Sequence, residues 1–159
     1  MRPPISPDDD TFMREALAEA WFGGWQQEVP VGAIVVHDGK IIGRGRNLPI
    51  INKDPTAHAE IIAIREAALA LGAYRLPGAI LYVTLEPCVM CVGAVIHARL
   101  AAIRYGARDK KAGALGSVYD IGRDGRLNHR IEVAGGIMNE ECAALLRDFF
   151  KKRRAGRAE

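Results

Sequence analysis

Residues 79–98 read AILYVTLEPCVMCVGAVIHA, and the fold turns on how this stretch divides. Ala79 to Thr84 is a short apolar run after the turn-forming Pro77-Gly78, which predicts a strand. From Cys88 to Ala98 the only possible charge is a proton on His97, which predicts a core helix. Cys88 and Cys91 then stand at i and i+3, with both sulfurs on one face of the first helical turn. The partial positive charge of a helix N-terminus favours thiolate there.

On the N-terminal side, Asp8-Asp9-Asp10 predicts the start of a helix, with Phe12, Ala16, Leu17, Ala20 and Trp21 as its apolar face and Pro30 as its end. Val31 to Val36 and Lys40 to Arg46 are predicted strands around an Asp38-Gly39 hairpin turn. Asp54-Pro55-Thr56 opens a helix that runs to about Leu71, with Gly72 as its stop. Its Ile61 to Leu71 stretch is charged only at Arg65 and Glu66, which predicts a largely buried segment. On the C-terminal side, Ala101 to Ala107 predicts a strand and Asp109 to Leu127 an irregular segment. Ile131 to Val133 predicts a short strand, and Asn139 caps a last helix from about Glu140 to Arg154. Strand-helix-strand crossovers place helices on both faces of a sheet, so the expected fold is α/β, a mixed five-stranded sheet between helical layers.

His58 lies at the start of the helix that precedes the cysteine-bearing one, so His58, Cys88 and Cys91 converge at the strand ends, where α/β sheets bind ligands. One imidazole and two thiolates suit Zn²⁺, and three protein ligands leave a position open for water, as in catalytic rather than structural zinc sites. A closed structural site needs a fourth ligand from Cys142, His37, His97 or His129, none of which has paired ligand spacing with another. Cys142 lies in an apolar stretch and reads as a buried core thiol; His97 and His129 read as local hydrogen-bonding residues. A Cys-x-x-Cys redox pair is the other reading, but its usual thioredoxin-like setting is missing. Glu60, two residues after His58, reads as a general acid/base or as a first-turn glutamate favoured by the helix dipole.

The chain has 159 residues, 49% hydrophobic and 26% charged, which fits one globular domain spanning 1–159. Three cysteines and a Met1-Arg2-Pro3-Pro4 start without an apolar core predict reduced thiols in the cytoplasm rather than a secreted disulfide scaffold. No apolar run approaches the ~20 residues that span a membrane. The net charge of +3 is uneven: residues 1–28 carry −4 and residues 147–159 carry +4. Such a basic end predicts either a nucleic-acid partner or a solvated helix end whose cations complement the macrodipole.

His58-x-Glu60 with Pro87-Cys88-x-x-Cys91 matches the signature of zinc nucleobase deaminases. That signature does not choose between cytosine, adenine and guanine. The wider sequence resembles the bacterial tRNA-specific adenosine deaminases (TadA type) along nearly its whole length. The resemblance is carried by residues 28–33 (EVPVGA), 54–60 (DPTAHAE), 81–91 (LYVTLEPCVMC), 106–109 (GARD), 113–117 (GALGS), 128–130 (NHR) and 141–146 (ECAALL), the last leading to Phe149-Phe150. Residues 1–10 and Tyr119 to Arg126 follow no such pattern.

The resemblance implies a three-layer cytidine deaminase-like fold and a homodimer with one Zn²⁺ per chain. It implies hydrolysis of the wobble adenosine of a tRNA anticodon, in arginine tRNA, to inosine. Glu60 would then shuttle protons from water to a ring nitrogen and to the leaving amine. Asn47 resembles the residue that hydrogen-bonds the purine, though it also reads as a turn residue. Asp109 resembles a ribose contact. Phe150 and Arg153 resemble residues that pack on splayed anticodon nucleotides, with core packing the other reading of Phe150. A small-molecule guanine or cytosine deaminase, or a non-catalytic zinc RNA-binding module, are the competing functions.

Overall fold

In a computed structural model, which describes residues 6–157, the chain folds around a five-stranded sheet. The Met1–Pro4 start therefore lies outside the described residues. In chain order the elements are α1 (Pro7–Trp25), β1 (Gly32–His37), β2 (Lys40–Arg46), α2 (Pro49–Asn52), α3 (Ala59–Leu71), β3 (Ile80–Leu85), α4 (Val89–His97), β4 (Ala102–Ala107), a 3₁₀ turn at Ile121–Arg123, β5 (Glu132–Ala134) and α5 (Asn139–Arg157). The strand order is β2-β1-β3-β4-β5. β1 is antiparallel to β2 and to β3, whereas β3, β4 and β5 run parallel. The expected mixed sheet is thus present. Asp38 and Gly39 both take positive φ, as a tight hairpin turn between β1 and β2 requires.

Strand alternation divides the core in two. Ala33, Val35, Leu81, Val83 and Ile103 pack with Ala59, Ala63 and Ala67 of α3 and Val92, Val95 and Ile96 of α4. Ile34, Val36 and Tyr82 pack with Met13 and Ala16 of α1 and Cys142 of α5. Both faces of the sheet are therefore covered. The helices approach closely because the strands carry glycine beneath them. A Cβ at Gly43 would meet Ala63 O at 2.2 Å, one at Gly45 would meet Ala59 O at 2.2 Å, and one at Gly32 would meet Ala16 O at 2.0 Å.

That close packing corrects two sequence expectations. The buried stripe of α1 is Met13, Ala16, Ala20 and Gly23, and Trp21 stands outside at 49% exposure. In α3 the stretch Ile61–Leu71 buries only Ala63 and Ala67, and Leu69 is 83% exposed. Only small side chains fit over the glycines, so the larger apolar ones rotate outward. Boundaries shift as well. α1 ends at Trp25, before Pro30, because Gln27 takes φ 67 and turns the chain away. α3 begins at Ala59 and not at Asp54, because the Asp54 carboxylate accepts from both Thr56 N–H and Thr56 Oγ–H and holds a turn. Asn139 is the first residue of α5 rather than its cap, and α5 continues to Arg157.

Candidate active site

His58 is the N-cap of α3 and Cys88 the N-cap of α4. Neither uses its side chain to cap. On α3 the Asn47 Oδ1 does so instead, accepting from Ala59 N–H at 2.9 Å and leaving the His58 imidazole available. His58 Nδ1 lies 3.7 Å from Cys88 Sγ and 3.5 Å from Cys91 Sγ. All three donor atoms fall within 4.8 Å of one another. Among the described residues this is the one such group of three His, Cys, Asp or Glu side chains.

These distances fit zinc. A tetrahedral ion with Zn–S of ~2.3 Å and Zn–N of ~2.0 Å sets nitrogen and sulfur roughly 3.5 Å apart. The chemistry of the donors fits too. Hydrogen bonding from Cys91 and His58 holds the Cys88 thiol down to about 4, whereas the Cys91 thiol is pushed up by its bond to Cys88 and by burial. Cys88 is thus the readier thiolate, and a divalent cation would displace the proton that Cys91 retains. The hydrogen bond to Cys88 raises His58.

Glu60 is only 4% exposed, and its Oε2 accepts from Cys91 Sγ at 3.2 Å. Burial pushes its carboxyl above the ordinary range. A carboxyl group therefore stands beside the three-donor cluster, held by the first turn of α3.

The remaining residues singled out by the sequence occupy separate places in the fold, in the segment after β2, in the loops after β4 and on α5. Asn47 is half-buried against the start of α3. Asp109 folds its carboxylate onto the N–H groups of Lys111 and Ala112. Phe150 is 40% exposed and lines a groove with Lys111, Lys151 and Arg154. Arg153 lines a different groove, between α5 and α1, and its guanidinium stacks over Phe149 at 5.5 Å. Cys142 is 1% exposed in the core, with its thiol pushed up to about 12 by burial. His129 Nε2 hydrogen-bonds Leu100 O, so it is a hydrogen-bonding residue as expected, but its partner lies 29 residues away and is not local.

Two buried carboxylates escaped the sequence reading. Glu86 is 2% exposed and accepts from Asp109 N–H, Leu115 N–H, Ser117 N–H and Ser117 Oγ–H. It ties the 109–117 loop to the segment just before Cys88. Glu28 is 1% exposed and accepts from Ile51 N–H at 2.8 Å, fixing α2 near Asn47. Their signal was a lone acid against an apolar strand (Leu85-Glu86-Pro87) or before one (Glu28-Val29-Pro30).

The family of MafB19-like deaminases matches residues 7–154. A tRNA-specific adenosine deaminase of Haemophilus influenzae is 49% identical over 147 residues, covering 92% of this chain and 85% of that protein. The solved structure of a tRNA deaminase, studied for A-to-I editing at the wobble position, superposes with a TM-score of 0.83 at 46% identity, over 86% of this chain and 99% of that one. A guanine deaminase from Nitrosomonas europaea superposes with a TM-score of 0.75 at 27% identity, over 93% and 86%.

Proposed function

The chain belongs to the tRNA-specific adenosine deaminases of the cytidine deaminase-like superfamily, and on that premise we propose that it hydrolyses the wobble adenosine of a tRNA anticodon, that of arginine tRNA, to inosine. The observation that best supports this reading is the convergence of His58, Cys88 and Cys91 with the buried Glu60 carboxyl 3.2 Å from Cys91 Sγ.

His58, Cys88 and Cys91 would hold one Zn²⁺. When bound, zinc supplies the Lewis acidity that makes water a competent nucleophile at neutral pH. Glu60 takes the proton that water gives up and delivers it to a purine ring nitrogen. The C–O bond forms at the amine-bearing carbon as this happens; Glu60 then moves the proton of the newly attached hydroxyl to the exocyclic amine, the C–N bond breaks, the carbonyl forms and ammonia leaves. Burial of Glu60 limits loss of these protons to bulk solvent. Asn47 Oδ1 is engaged by Ala59 N–H, so its amide NH₂ is the group it offers to the purine edge. Asp109 takes a neighbouring ribose hydroxyl, which favours RNA over DNA. Phe150 and Arg153 pack on splayed anticodon nucleotides.

The same reading makes the protein a single-domain cytoplasmic homodimer, with Leu69, Tyr74, Val89 and Met90 supplying exposed apolar surface for pairing. Among the described residues no helix is long and apolar enough to cross a membrane. The test is incubation with anticodon stem-loops bearing a wobble adenosine, with inosine measured by mass spectrometry. An arginine stem-loop should be converted fastest. Consumption of free guanine with no stem-loop converted would replace this function with small-molecule deamination.

A further inference from the structure

The C-terminal halves of α1 and α5 enclose a groove of about 840 Å³ that the chemistry above does not use. Trp21 and Trp25 form one wall. They are one helical turn apart on α1, their rings are 5.5 Å apart, and they are 49% and 72% exposed. The other wall is α5, with Phe149, Lys152 and Arg153. Asp148 is the one acid lining the groove, whereas Lys151 and Arg154 line the neighbouring groove of α5 with Phe150. Ile50 of α2 lines it too. It follows Asn47-Leu48-Pro49, and Leu48 N–H donates to Ala57 O, the residue before His58. The segment 47–50 thus links the groove lining to the start of the active-site helix.

We propose that this groove holds an unpaired nucleotide flanking the deaminated adenosine, with its base stacked on Trp25 and Trp21 and its phosphate facing Lys152 and Arg153. Exposed rings opposite cations are the combination that single-stranded RNA requires, because every base offers a π-face and every linkage a negative charge. The cations on α5 are what favour RNA over an apolar protein partner. The inference rests on RNA being the substrate, and it adds α1 to the recognition surface.

The test uses the full chain and a fluorescent anticodon stem-loop, with dissociation constants measured across a salt series. Trp25→Ala should weaken binding about 5- to 150-fold, the loss of one stacked base. It should leave the slope of log affinity against log salt unchanged, because no charge is removed. Trp25→Phe should recover most of the affinity. Lys152→Ala should instead flatten the slope by about 0.7. Trp25 is exposed, so unaltered melting and zinc content serve as the folding control. If wild-type protein edits the stem-loop and Trp25→Ala binds it equally well, the groove proposal falls and the deaminase reading stands. If wild-type protein neither binds nor edits it, both fall. A Trp25→Ala variant with normal RNA affinity but altered sedimentation would make the groove a contact between copies of the chain, which also overturns the proposal.

Discussion

Glu60 is an almost fully buried carboxyl group, and burial of a carboxylate costs several kcal/mol unless other interactions offset it. Its contact within the described site is to Cys91 Sγ, which is a poor return for a purely structural residue. Glu60→Ala should therefore lower turnover by at least about 10²- to 10⁴-fold while zinc content and melting temperature stay at or above wild type. Retained turnover would remove the proton-shuttle role. The three cysteines should differ in the same local way. Cys142, buried and with its thiol pushed up to about 12, should resist alkylation at pH 8 in the folded protein. Cys88, partly exposed, should be protected by bound zinc and become the first site modified after chelation. Peptide mapping by mass spectrometry with and without chelator separates these outcomes.

At the scale of elements, α3 is held by an alanine stripe on two strand glycines, and its first turn carries both His58 and Glu60. Gly45→Val would drive a side chain into Ala59 O, against backbone that cannot swing aside. The expected result is destabilisation of about 1–3 kcal/mol or more together with lost zinc, because the displaced backbone is adjacent to the ligand. Denaturant melts and metal analysis of the same sample check both parts. The end of α5 lies at the opposite extreme, exposed and basic from Lys151 to Arg154. Neutralising Lys151, Lys152, Arg153 and Arg154 together should weaken tRNA binding most at low salt, each lost phosphate contact flattening the log–log slope by roughly 0.7. Single-turnover rates at saturating enzyme should change far less, since His58, Glu60 and the cysteines sit on α3 and α4. Unchanged affinity and slope would make these cations a helix-end charge complement only.

Over the whole molecule, the three-donor cluster joins the start of α3 to the start of α4. A ligand bound only by the folded state adds stability by mass action, about 4 kcal/mol at 1,000 times its dissociation constant. Dialysis against a strong chelator should lower the melting temperature and abolish deamination, and Zn²⁺ but not Mg²⁺ should restore both. Calorimetry and turnover on the same preparation test this. An unshifted melt with activity intact would exclude a resident metal.

The convergence of His58, Cys88 and Cys91 was readable in the sequence because such donor sets need particular residue types at short fixed spacings. His58-x-Glu60 and Cys88-x-x-Cys91 are such spacings: the i, i+3 spacing sets the two cysteines on one side of a helix start, and His58 and Glu60 flank the start of α3. The hairpin at Asp38-Gly39 and all five strands were readable for the same reason, since turn chemistry and strand patterning are local. The strand order, with β3 beside β1 and β2 displaced to the edge, was decided by tertiary structure. So was the rotation of α1 and α3, where glycines distant in sequence admit only alanine-sized side chains and turn Trp21 and Leu69 outward. Glu86 shows the same limit: its partners lie 23 to 31 residues away, and no local pattern announces them. Spacing along the chain sets what a residue can do chemically; burial depends on which two surfaces meet, and that is settled only when the chain packs.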